Sequence, residues 1–340
     1  MKEIIMQNML SPVVLFFALG LLAALVKSDL KIPPAIGEIL SVYLLIAIGL
    51  KGGIELSHYS PLLLVKPMLG VLFLGTIIPI AALVVLRWLK LDFPNAIGLA
   101  AAYGSVSIVT YGAALSFLDH SGVAYESYMN VLIVLMESPA IILALFLMKW
   151  REKSRAVAMA TPAGAIGITA GSSGLLNGLF DKEVLRESVF GKSVLLLLGS
   201  LLIGWASGEA AVPIVKPLFI DMYKGVLMIF LLQMGIIAGQ RLPEVRKHGM
   251  KLILFGLLMP LFCGVLGVLV GHQVGLSLGG SALMGVMAGS ASYIAAPAAL
   301  KTSVPEANPS IYLGLSLGIT FPMNLLIGIP FYYTVASWVQ

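Results

Sequence analysis

The stretches GSVSIVTYGAAL (Gly104–Leu115) and GSASYIAAPAAL (Gly289–Leu300) set out the same small and hydroxylated residues twice in one chain. Gly104 matches Gly289, Ser105 matches Ser290, Ser107 matches Ser292, and Ala113, Ala114 and Leu115 match Ala298, Ala299 and Leu300. Glycine, serine, threonine and β-branched residues weaken a helix, and Pro297 withholds a backbone donor outright. A helix interrupted at such a stretch frees N–H and C=O groups. Freed N–H groups at the start of a half-helix attract an anion. Freed carbonyls and hydroxyls suit a small hard cation such as sodium. The competing reading of one such stretch is close helix packing through small residues. Its repetition favours a site.

Other polar residues fall inside apolar runs. Glu137, in LMESPA, is an acid in front of Pro139, and an acid within a membrane span marks a functional site by default. It reads as a cation ligand, or as a partner for broken backbone. Thr320 and Asn324, on either side of Pro322, are its rough counterparts in the second half. Pro139 and Pro322 are both expected to interrupt their spans. Glu38 and Asp221 read as interface acids, and Gln233 lies mid-span with no obvious partner. Cys263 is the one cysteine, and His58, His120, His248 and His272 stand singly near loops. Neither metal-ligand spacing nor a nucleophile with a base is visible. No cofactor is therefore implied, and a membrane-embedded enzyme is a remote alternative.

The elements that must position these groups follow from composition. Of 340 residues, 59% are hydrophobic and only 11% charged, against about 25% charged in soluble domains. That little charge cannot cover a water-facing surface, so lipid is the solvent. The long apolar runs without alternation exclude a β-barrel. Ten spans are expected: Pro12–Val26, Pro34–Leu50, Pro61–Leu89, Asn95–Leu118 and Tyr125–Lys149, then Ser193–Ser207, Pro217–Gly239, Met250–Gly271, Leu278–Leu300 and Pro309–Trp338. The opening Met-Lys-Glu and the run after Ser11 read as a first span, not a cleavable signal peptide. Residues 1–150 form a first repeat of five, 151–192 a cytoplasmic linker and 193–340 a second repeat. Lys and Arg gather in the linker and in the loops on its side of the membrane. This places the linker inside and both termini outside. The net charge of +5 thus follows topology and gives no sign of nucleic-acid binding. Trp88, Trp150, Trp205 and Trp338 at span ends suit a headgroup belt. Glycines of GLKGGIEL (Gly49, Gly53) match those of GIIAGQRL (Gly235, Gly239). Two similar halves of five spans must enter the membrane from opposite sides. The expected fold is therefore an all-α membrane protein of two inverted-topology repeats, broken in spans 4 and 9.

The segments GSASYIAAPAALKTSVPEANPSIYLG, YESYMNVLIVLMESPAI and GSVSIVTYGAAL resemble the sodium-dependent bicarbonate transporter (SbtA-type) family over nearly the whole chain. The resemblance implies a gate or scaffold domain from spans 1, 2, 6 and 7 and a core from the others. It also implies an elevator-like movement and a homotrimer in the bacterial inner membrane. The cargo would be a small inorganic anion, bicarbonate, imported with sodium as coupling ion. A PII-like regulatory protein would dock on the cytoplasmic face. Substrate binding would fall to Gly104, Ser105, Ser107, Thr110, Gly289, Ser290 and Ser292. Cation binding would fall to Ser107, Glu137, Ser292, Tyr293, Thr320 and Asn324. Tyr293 stands where the family has an aspartate, and Ile108 and Val109 replace serine-rich positions, which bears on the sodium site and the anion. A sodium/organic-anion symporter or a cation/proton antiporter of similar design is the alternative.

Overall fold

The computed structural model describes residues 2–57, 59, 61–160, 192–247, 249–297, 300 and 304–340. Residues 161–191 of the expected linker, His58, His248, Ala298 and Ala299 lie outside the described residues. Among the described residues every regular element is helical. A short α1 (Lys2–Met9) precedes α2 (Pro12–Leu25). Ser11 fixes the start of α2 by accepting the Val14 N–H, and Pro12 takes the first position, where a missing N–H costs nothing. α3 (Pro34–Leu56), α4 (Pro61–Trp88), α5 (Phe93–Gly104), α6 (Ile108–His120) and α7 (Met129–Ala160) complete the first half. The second half holds α8 (Lys192–Ser207), α9 (Tyr223–Lys247), α10 (Met250–Gln273) and α11 (Leu278–Ala288). A helix then resumes at 295, and α12 (Pro309–Val339) ends the chain.

Among the described residues, seven stretches are long and apolar enough to cross a membrane, fewer than the ten expected. The shortfall has physical causes. α2 and α11 are apolar but have 14 and 11 residues, short of the roughly 20 that a bilayer core requires. The stretch Leu195–Pro243 counts as one run of 49 residues, yet it is not one rod. A 3-10 turn at Gly208–Ala211, opened by Gly208 at a positive φ of 52°, and a π turn at Lys216–Asp221 separate α8 from α9. α8 runs along α3 in the same direction, with Gly49 beside Leu197 and Gly53 beside Leu201. α9 runs the other way, since Leu218 accepts from Tyr43 while Gln233 meets Gly37. The chain therefore reverses between them.

Two tight pairs form one group of helices. α2 lies on α9 and α3 on α8, each at crossed glycines. A Cβ on Gly235 would stand 3.0 Å from Gly20 Cα, and one on Gly204 would stand 3.2 Å from Gly53 Cα. Gly235 and Gly239 thus do for α9 what Gly49 and Gly53 do for α3, which is the close approach that small residues permit.

The second group surrounds the paired serine stretches. α4, α5 and α7 meet where a Cβ on Gly104 would strike Ala140 at 2.7 Å and Pro79 at 2.8 Å. α10, α11 and α12 meet where Gly264, Gly285 and Gly289 leave a slot for the Tyr332 ring. Polar ties at the starts of α11 and α5 help to join the halves. Ser277, the cap of α11, donates to Glu126 from its N–H (2.6 Å) and its hydroxyl (3.1 Å). Asn308 N–H donates to Asn95 Oδ1 at 2.7 Å, beside Asp92, the cap of α5.

Several local expectations are corrected. Pro139 sits inside an unbroken α7. Pro322 does not break α12 but lies between two π turns, Ser316–Thr320 and Asn324–Gly328. Pro297 does not make the second break. It falls in the first turn of the helix that resumes at 295, where its missing N–H would be unpaired in any case. α7 runs ten residues past the expected start of the linker, to Ala160, and α8 begins at Lys192, its last expected residue. Trp88 (80%), Trp205 (55%) and Trp338 (71%) are exposed near helix ends, where a headgroup belt would find them.

Candidate functional site

Both serine stretches interrupt helices. α5 ends at Gly104 and α6 begins at Ile108, so Ser105, Val106 and Ser107 form an extended link after 12 helical residues and before 13 more. α11 ends at Ala288, and the chain is non-helical until 295. Interrupted backbone survives in a membrane only where protein or water shields it. The most apolar window of the Phe93–His120 stretch is accordingly 100% buried, against 22% for Leu195–Pro243.

The two links cross in antiparallel fashion. Ser107 N–H donates to Ser290 Oγ at 2.9 Å, and Ser292 N–H donates to the Ala102 carbonyl at 2.7 Å. Each helix that follows a link is capped by its own serine. Ser107 Oγ accepts from Thr110 N–H (3.2 Å) and pairs with Thr110 Oγ1 (2.8 Å), while Ser292 Oγ accepts from Ala296 N–H (3.3 Å). The first-turn N–H groups of Ile108 and Val109 have no intrahelical acceptor. Two helix starts therefore come together at the crossing, each bringing partial positive charge.

The remaining candidates join this crossing. Asn324 Nδ2 donates to the Gly289 carbonyl at 2.8 Å, and its Oδ1 accepts from Tyr332 at 3.0 Å. Thr320 Oγ1 lies 2.6 Å from the Tyr103 hydroxyl and donates to the Gly256 carbonyl at 2.8 Å. The Tyr293 ring meets Phe321 edge-on at 5.5 Å, and its hydroxyl faces Ser107. The Glu137 carboxyl faces the Ser105 hydroxyl. Ser105, Ser107, Thr110, Glu137, Ser290, Ser292, Thr320 and Asn324 are all buried.

Some buried polar atoms there lack any hydrogen-bond partner among the described residues: Ser105 Oγ, both Glu137 oxygens and Tyr293 Oη. Buried polar groups are ordinarily paired, so this concentration at two crossed breaks points to an arrangement completed by a ligand. Among the described residues no cluster of three or more His, Cys, Asp or Glu could hold a metal ion.

Sequence reasoning missed Tyr103 and Tyr332. Tyr332 also donates to the Pro260 carbonyl at 3.0 Å, linking α10 to Asn324. Nothing in the run FYYTV marks that role. Its signal is the three glycines that make room for the ring, and they are distant in sequence. Of the other polar residues, Glu38 pairs at 3.7 Å with Lys192 on an exposed face, and Gln233 Oε1 is buried without a hydrogen-bond partner among the described residues.

Three cavities of about 400, 380 and 260 Å³ gather at the C-terminal end of α6, and Asp119 lines them all. Asp119 pairs with Lys224 of α9 at 3.2 Å. Ala113 and Ser116 of α6 line the largest, so its nearer edge lies six residues beyond Ser107, about 9 Å along the helix.

A family model described as the Na+-dependent bicarbonate transporter superfamily matches residues 12–337. No curated protein matches the chain.

Proposed function

Since the chain belongs to the Na+-dependent bicarbonate transporter superfamily, we propose that it is a secondary transporter that carries bicarbonate together with sodium through the crossing of its two interrupted helices. The observation that carries this reading is the crossing: two capped helix starts, tied by Ser107 N–H to Ser290 Oγ, with polar atoms beside them that have no hydrogen-bond partner among the described residues. Bicarbonate is a planar monovalent anion with hydrogen-bond donor and acceptor groups. The N–H groups of Ile108 and Val109 and the hydroxyls of Ser105 and Thr110 would hold it, with Gly104 and Gly289 letting the backbone approach. Ser290 and Ser292 fix the relative position of the links. Sodium takes oxygen ligands. Glu137 and Ser105 supply them, with Ser107, Ser292 and Tyr293 nearby. Thr320 and Asn324 act one step back, through Tyr103 and the Gly289 carbonyl.

The proposed architecture is ten spans in two inverted repeats. Its support is directional. α2 and α9 run one way and α3 and α8 the other, so each helix opposes its counterpart in the other half. The caps Asp92 and Ser277, at the starts of the two broken spans, are matched in the same sense. α2, α3, α8 and α9 would be the gate, and the remaining helices the moving core of an elevator. The positive-inside rule orients the α6 end outward, so the cavities around Asp119 would be the outer approach. A trimer in the inner membrane, with a PII-like regulator on the inner face, completes the proposal.

The test is uptake of labelled bicarbonate into proteoliposomes under an inward sodium gradient. Sodium-dependent uptake, absent with potassium in its place, is expected. Uptake of other anions without bicarbonate would overturn the substrate.

A further inference from the structure

Tyr293 stands in the second link, one residue after Ser292, whose N–H is held by the Ala102 carbonyl at 2.7 Å. Its ring is fixed from the side of α2. Phe321 meets it edge-on at 5.5 Å, and Phe17 of α2 meets Phe321 edge-on at 5.3 Å. The residue is 8% exposed, and its hydroxyl oxygen is buried with no hydrogen-bond partner among the described residues. A buried tyrosine hydroxyl ordinarily finds a partner. The side chain that this one meets is Ser107, the cap of α6. A serine oxygen has two acceptor lone pairs. Thr110 engages both, its N–H donating at 3.2 Å and its Oγ1 at 2.8 Å. Other acceptors at the crossing are engaged too. Ser290 Oγ takes the Ser107 N–H, and the Gly289 carbonyl takes Asn324 Nδ2.

The lining around this hydroxyl is therefore one of donors. The N–H groups of Ile108 and Val109 have no intrahelical acceptor, the start of α6 carries partial positive charge, and Tyr293 adds an O–H. Donors that lack acceptors suit an anion, whereas sodium needs oxygen lone pairs directed at it. We propose that Tyr293 donates its phenolic hydrogen to the bicarbonate held at the start of α6, and so serves anion selection and not sodium binding. The resemblance implied a cation ligand at this position; a phenol with no acceptor in the protein assigns it to the anion instead. The inference rests on the proposed carriage of bicarbonate. The anion then bridges the two links, held by backbone N–H groups of the first and by the tyrosine of the second. The edge contacts with Phe321 hold the hydroxyl in place before the anion arrives, so little freedom is lost on binding.

The experiment compares wild type with Tyr293→Phe as purified full-length proteins in detergent. Two binding equilibria are measured: radiolabelled bicarbonate at saturating sodium chloride, and radiolabelled sodium in bicarbonate-free buffer. Phenylalanine keeps the ring and its edge contact and removes one oxygen. Loss of a hydrogen bond to a charged ligand should weaken bicarbonate binding about 10- to 100-fold. Sodium affinity without bicarbonate should stay within about twofold. The unfolding midpoint should hold or rise, because the lost hydroxyl leaves no partner behind among the described residues. A bicarbonate affinity unchanged to within about twofold overturns the proposal. So does a sodium affinity that falls in the absence of bicarbonate, which gives the hydroxyl to the cation. A variant that fails to fold, or unfolds at a lower temperature, also overturns it, since the hydroxyl then serves the structure. Each of these leaves sodium-coupled transport standing. Wild-type protein that binds no bicarbonate at any sodium concentration overturns the transport reading itself.

Discussion

Replacing Ser290 by alanine tests whether the crossing is held as described. Ser290 Oγ accepts the Ser107 N–H at 2.9 Å and donates to the Met287 carbonyl at 3.1 Å. Ser107 is 3% exposed, so water cannot replace the lost acceptor. A buried N–H left without a partner costs about 1–3 kcal/mol. The Ser107 cap on Thr110 does not involve Ser290 and should persist. The loss therefore falls on the position of one link relative to the other. If bicarbonate is held by both links, that cost appears in its affinity. At 1.4 kcal/mol per tenfold, the weakening is about 5- to 150-fold. The assay is the concentration dependence of bicarbonate uptake in proteoliposomes, with thermal unfolding in detergent beside it. Ser316→Ala is the control. Its hydroxyl is equally buried but has no partner among the described residues, so truncation should leave stability unchanged or raise it. An apparent affinity within twofold of wild type in Ser290→Ala, with an unshifted unfolding midpoint, would refute the reasoning. So would equal damage from Ser316→Ala.

Gly53→Val should disrupt the α3–α8 contact. Its Cβ would fall 2.7 Å from the Trp205 N and against the Leu201 carbonyl, an overpacking that costs about 1–3 kcal/mol or more. Loss of a monodisperse gel-filtration peak or a lowered unfolding midpoint checks it. Tyr332→Phe removes the donor to Pro260 and Asn324. Chemical denaturation should report a loss of about 1–2 kcal/mol, with sodium-driven uptake weakened through Asn324 and Gly289. Lys224→Ala breaks an ion pair with Asp119 whose side chains are 53% and 35% exposed. Stability should change by less than about 1 kcal/mol, while the dependence of uptake rate on ionic strength shifts.

The sequence by itself determined the solvent, the helical class and the two weak points. Eleven per cent charge leaves no alternative to lipid, and lipid leaves no alternative to long helices here. GSVS and GSAS were legible because helix propensity is a local property. The segments around them also sufficed to identify the family, which the match over residues 12–337 bears out. Proline misled for the same reason that serine informed. Pro139 and Pro297 carry a strong local rule, yet one lies within an unbroken helix and the other in a first turn. Whether a lost backbone bond breaks a membrane helix depends on which neighbouring groups can replace it. Only the tertiary structure decided what meets what. Ser107 and Ser290 are 183 positions apart, and no periodicity along the chain encodes their contact. The Tyr332 slot needs glycines from α10 and α11 and the link after it, and the isolation of Glu137 needs the packing of α4, α5 and α7 around it. Helix breaks are set by residues next to one another. The burial that makes a break into a site is set by residues that the chain brings together only when folded.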